Sequence, residues 1–142
     1  NANSDDRLYP GALAELAKVL DKNEDVGISY SWVDIVETIG GDPVSRFQWS
    51  EGGFDELMHG CFMGPFPMWR KSLHDEYGLF DGTLKVAGDY EMWLRLLKNG
   101  VQCSCINHSL GAYLSRPDSA EHREEITAVW ETARVRARHR RI

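Results

Sequence analysis

A chain of 142 residues with 42% hydrophobic and 27% charged side chains has the composition of one globular domain and the length to bury a real core. The net charge is −6, yet residues 134–142 hold five arginines and no acid, which leaves −11 on residues 1–133. A body that acidic excludes a domain built to grip a nucleic-acid backbone.

The apolar runs are too short for a transmembrane helix, and the polar start has no secretory apolar region. Cys61, Cys103 and Cys105 cannot all pair with one another and show no paired metal-site spacing, so a reducing compartment is the simpler reading. Arg134, Arg136 and Arg138 step by two, which scatters them around a helix. They read as a solvated end that complements the helix dipole, not as a lipid-binding face.

Leu13, Leu16, Ala17 and Leu20 predict an amphipathic helix from Pro10 to Lys22. Val26 to Glu37 alternates and is rich in β-branched and aromatic residues, which predicts a strand. After the turn at Gly40-Gly41-Asp42-Pro43, residues Val44 to Gly53 read as a hairpin return or a long loop. Phe54 to His59 fits about a turn and a half of helix. The apolar stretch Gly60 to Trp69 carries Pro65 and Pro67, which forbid a helix and demote any strand to an edge or a kink. Arg70 to Tyr77 predicts a helix closed by Gly78.

Met92, Trp93, Leu96 and Leu97 recur at helical spacing and Gly100 supplies the stop. Short strands follow at Val101–Ile106 and Leu110–Leu114, with Cys103 and Cys105 on one face. A last helix, Glu121 to Arg138 behind Ser119, is expected to turn Ile126, Val129 and Ala133 inward. The sheet is thus expected to be small and mixed, from Val26–Val36, Cys61–Trp69 and the strands after Gly100, with helices on its faces.

Two places could carry chemistry. Asp89 and Glu91 fall in or just before the first turn of the helix through Met92, where free amides and the helix dipole favour a negative charge. A carboxylate fixed there suits a general base and equally suits a plain cap. The loop Asn3-Ser4-Asp5-Asp6 places two carboxylates together, which suits a hard divalent cation completed by phosphate oxygens, or an N-cap for the following helix.

Asn3 to Gly11, then Tyr77-Gly78-Leu79-Phe80-Asp81, then Ala87-Gly88-Asp89-Tyr90-Glu91-Met92-Trp93-Leu94-Arg95, in this order, resemble the inverting family-2 glycosyltransferases of the GT-A fold, over residues 3 to about 119. The resemblance implies an α/β nucleotide-diphospho-sugar transferase fold. It implies Asp5 as the ligand of Mn²⁺ or Mg²⁺, Asn3 and Ser4 beside the nucleotide, and Asp89 as the base that deprotonates an acceptor hydroxyl. It further implies a nucleotide-sugar donor, a carbohydrate or lipid-linked acceptor, and a place in cell-wall or polysaccharide biosynthesis. The implied location is cytoplasmic, at the inner membrane face where the acceptor is lipid-linked.

Three positions depart from the family pattern: Asn3 replaces an acid, Gly88 replaces the Glu before the base, and Arg116 stands where a His often binds metal. His108 and His122 flank that place without matching it. The family's N-terminal nucleotide-binding half has no counterpart ahead of Asn3. The chain is therefore expected to be the C-terminal part of such a domain, inactive alone and prone to homo-oligomerise through the surface left uncovered.

Trp69 and Trp93, with Phe62, Met63, Phe66 and Met68 nearby in sequence or fold, offer an aromatic platform for an acceptor sugar, or simply a core. A noncatalytic carbohydrate-binding or assembly module that kept the transferase shape is the alternative. A two-metal phosphohydrolase fits less well, since the His and Asp cluster it needs is absent from the sequence pattern.

Overall fold

The computed structural model describes residues 5–115 and 124–140. Asn3, Ser4, Arg116, Ser119, Glu121 and His122 lie outside them. The elements are β1 (Arg7–Leu8), α1 (Ala12–Lys22), β2 (Val26–Val36), β3 (Ser45–Phe47), α2 (Phe54–His59), β4 (Met68–Trp69), α3 (Ser72–Tyr77), α4 (Gly88–Lys98), β5 (Gln102–Leu114) and α5 (Glu125–His139).

The sheet is small and mixed and runs β1-β5-β2-β3, with β4 sharing the β3 edge of β2. β2 and β5 are parallel, and the remaining pairs are antiparallel. The residues after Gly40-Gly41 do return as a hairpin, with Val33 opposite Phe47. The two short strands expected after Gly100 form one strand, β5, kept in step with β2 by register irregularities around Ser31 to Asp34. Conversely, the strand expected over Cys61–Trp69 shrinks to Met68–Trp69. Pro65 and Pro67 cannot donate to a ladder, so this segment crosses the sheet as an irregular span that buries Phe62, Met63 and Phe66.

Helices cover both faces of the sheet. On one side α1 packs Ala12 and Leu16 onto Leu110, and Ser29 on β2 donates to the Leu16 carbonyl at 3.0 Å. On the other, Ile28 and Tyr30 meet Leu57, Phe62, Leu73 and the buried face of α4 in the main core. Cys103 and Cys105 lie at the margin of that core as free thiols, each pushed up to about 11 chiefly by burial.

α5 corrects the sequence reading. Ile126, Val129 and Ala133 face outward, and the inward stripe carries Glu131, Val135, Arg136 and His139. Arg136 and Arg138 are likewise engaged with the body, so they are not a solvated end. Periodicity located an apolar stripe correctly, but this helix docks mainly by hydrogen bonds and its apolar stripe is on the outside.

Candidate active site

Asp89 is the second residue of α4, which starts after Ala87. Its Oδ1 accepts the Tyr90 N–H at 2.7 Å. As a residue Asp89 is exposed, between the half-buried Gly88 and the buried Tyr90. Burial raises the carboxyl pKa, and hydrogen bonds from the Tyr90 and Asp89 amides only partly oppose the rise. Among the described residues no basic side chain forms an ion pair with it. Beside it lies Cys61, whose thiol is pushed up to about 11, chiefly by burial and further by the Asp89 charge.

Glu91, two residues on, has a different role. It is 3% exposed and is held between Arg95 at 3.0 Å and His139 at 3.1 Å. Burial alone would raise its pKa, but the Arg95 and His139 contacts outweigh it and the net shift is downward. Arg95 also donates to the carbonyls of Tyr77, Gly78 and Leu79, so this pair ties α4 to the end of α3 and to α5.

α5 fixes the whole approach to Asp89. The Glu131 carboxylate accepts the N–H groups of Lys85, Val86 and Ala87 at 2.8, 2.8 and 2.9 Å, and these bonds hold its pKa down. Arg136 donates to the Tyr90 hydroxyl at 3.0 Å and to the His59 carbonyl at 3.0 Å, while that hydroxyl donates to the Leu57 carbonyl at 2.7 Å. Arg138 pairs with Asp81 at 2.8 Å and, as the main cause, depresses the Asp81 carboxyl well below its usual range. Residues 81, 85–87, 90 and 91 are thereby anchored by one helix. Sequence reasoning missed Glu131, Arg136 and His139, because their partners lie about 45 residues upstream and no local pattern links them.

Asp5 lies just before β1, whose Arg7 faces Ala112 on β5. Asp5 is exposed and Asp6 half-buried. Both line a cavity of about 260 Å³ together with Tyr9, Val36, Gly40 and Leu114. It sits beyond the carboxyl ends of the parallel pair β2 and β5, where open α/β sheets place their ligands. This cavity does not include Asp89. Cys61 neighbours Asp89, and Phe66 packs where a side chain on Gly111, the partner of Leu8, would have to sit. Among the described residues no group of three His, Cys, Asp or Glu side chains could hold a metal on its own. The exposed Asp5 is a hard donor of the kind that Mg²⁺ or Mn²⁺ takes, ions that use one or two protein carboxylates and fill the shell with water and phosphate, while both Asp6 carboxylate oxygens are buried and Arg7 lines the same cavity.

No family model matches the sequence, and no curated protein matches it either. Among solved structures the chain is similar to residues 1–349 of TarS from S. aureus, a teichoic acid glycosyltransferase, with a TM-score of 0.58 and 16% identity. The match covers 96% of this chain. The fold is glycosyltransferase-like. The chain spans 43% of the TarS chain it matches, so it corresponds to part of that fold.

Within this glycosyltransferase-like fold, the aromatic platform expected for an acceptor is largely core. Trp93 and Met63 are each 1% exposed, packed among Ile28, Leu57, Leu73 and Leu96, where no sugar face reaches them. Trp69 is half-buried, with its ring edge-on to Trp93 at 5.1 Å and its indole N–H on His74 at 2.9 Å. His108 is on the surface, paired with Glu15 of α1 at 2.9 Å. No helix among the described residues is long and apolar enough to cross a membrane.

Proposed function

We propose that this chain is the acceptor and catalytic-base part of an inverting glycosyltransferase domain that moves a sugar from a nucleotide donor to an acceptor hydroxyl. The observation that carries the proposal is the state of Asp89: in the first turn of α4, exposed, free of an ion pair among the described residues, and raised in pKa. A structural carboxylate on the same turn, Glu91, has the opposite properties. The glycosyltransferase-like fold supports the reading.

In this mechanism Asp89 accepts the proton of the acceptor hydroxyl as that oxygen attacks the sugar from the face opposite the departing diphosphate. Burial raises the pKa of this carboxyl, which makes its ionised form a better base. α5 keeps the base in place through Glu131 and Arg136, so orientation does not have to be restored at each turnover. Asp5 would hold Mn²⁺ or Mg²⁺, which would neutralise the charge growing on the leaving diphosphate. Asp89 does not line the cavity that holds Asp5, which fits a base that stays free of the metal.

Titration calorimetry on the whole domain, with Mn²⁺ and a nucleoside diphosphate added singly and together, tests this assignment. Each ligand should tighten the other, since the diphosphate completes the metal's shell. Independent binding, or none, would favour the noncatalytic module.

A further inference from the structure

The outward face of α5 carries a run of exposed apolar side chains that have no part in the described fold. Ile126 is 77% exposed, Val129 64% and Trp130 73%, and Ala133 and Ala137 are exposed beside them. The anchors described above are Glu131, Val135, Arg136, Arg138 and His139, none of them on the apolar stripe, so nothing about docking α5 requires its outer face to be apolar. Ile126, Trp130, Ala133, Ala137 and Arg140 follow one another at spacings of four, three, four and three, the stripe of a helix that packs along another helix.

The geometry points to a second copy of this chain as the occupant, with the two α5 helices antiparallel about a two-fold axis near Ala133. The charges along α5 fit its own reverse. Glu125 stands at the start, and Arg134 and Arg140 stand exposed in the second half. In the antiparallel pair Glu125 comes beside the partner's Arg140, and the helix dipoles also oppose. Ile126 then lies against the aliphatic stem of the partner's Arg140, Val129 opposite the partner's Ala137, and Trp130 over the partner's Ala133 and Ala137, a large ring against two small residues. A parallel pair would set acid against acid and arginine against arginine. An anionic bilayer is the poorer fit, because the body behind the helix is strongly acidic. This surface is distinct from the sheet edge at β3, where Phe47 is 49% exposed. It does not depend on the transferase reading.

The contact is one helix pair roughly 22 Å long, at the small end of specific interfaces, so the dimer is expected to be concentration-dependent. Sedimentation equilibrium over a concentration series tests it. Ala133→Glu sets two carboxylates face to face at the axis and should weaken dimerisation by about tenfold or more, ~1.4 kcal/mol, with an unchanged thermal melt at dilutions where the chain is monomeric, since the residue is then exposed. Glu125→Arg should weaken it, and adding Arg140→Glu should restore it. A chain monomeric at every concentration overturns the proposal. So does a dimer indifferent to Ala133→Glu but lost in Phe47→Lys, or a monomer retained on phosphatidylserine vesicles through Trp130.

Discussion

Replacing Glu91 by Gln isolates the tie between α4 and α5, and its cost follows from the environment. The carboxylate is 3% exposed and accepts charged hydrogen bonds from Arg95 and from His139. Gln keeps the volume, so no cavity forms, but it removes the charge from both contacts, and the carbonyls of residues 77–79 remain as the other partners of Arg95. A hydrogen bond to a charged group is worth about 1.5–3 kcal/mol. Because Arg95 is one-fifth exposed and keeps other partners, the expected loss is about 2–3 kcal/mol.

In a domain of this size that lowers the melting temperature by roughly 5–10 °C. The pH dependence gives a second check. The folded-state pKa of Glu91 lies below its unfolded value, so its stabilisation is complete above the unfolded pKa and is lost as pH falls through the folded one. The gap between wild type and Glu91→Gln, measured by urea unfolding, should therefore be full at neutral pH and close below about pH 4. A gap under about 0.5 kcal/mol at neutral pH, or one unchanged in acid, would refute this account of the tie. Glu91→Gln is for the same reason not an innocent control for Asp89. The exposed Asp75→Asn on α3 is the better one.

Two further outcomes follow from the same geometry. Glu131→Ala should speed hydrogen exchange at residues 85–90 while leaving β2 and β5 protected, and should lower kcat with little change in the donor KM; unchanged exchange there would remove Glu131 from the positioning of Asp89. Gly111→Ala would place a methyl 2.6 Å from the Phe66 ring and closer still to the Arg7 carbonyl oxygen, so about 1–3 kcal/mol of stability should be lost in denaturant unfolding. A neutral Gly111→Ala would mean that β1 does not approach β5 as described.

Much of the frame was legible in the sequence where one local force dominates. β2 is rich in β-branched and aromatic residues and is buried along most of its length, and its span matches the alternating stretch. α4 has an apolar face, acids in its first turn and Gly100 at a positive φ of 89°, and it forms where these signals place it. The Cys61–Trp69 segment was harder, since hydrophobicity argues for a strand and two prolines argue against a ladder; the prolines won. α5 was misread because its inward face is secured by Glu131, Arg136 and His139 reaching residues that local sequence cannot connect, while its apolar stripe faces out. At the candidate site, the place of Asp89 in the first turn of α4 was readable from local helix signals. Trp93 and Met63 were open to two readings, and burial decided for the core.

The central claim is that Asp89 is a base and not a cap, and turnover of Asp89→Asn in the whole domain measures it. Asn keeps the size of the side chain and can still accept the Tyr90 N–H. The folded-state pKa of Asp89 lies above its unfolded value, so its ionised form is a cost to the fold at neutral pH, and the Asn variant should be as stable as the wild type or slightly more so. Its kcat should fall by about a hundredfold to ten-thousandfold, with donor and metal binding unchanged. Near-normal turnover of a folded Asp89→Asn, or loss of activity through unfolding alone, would contradict the account.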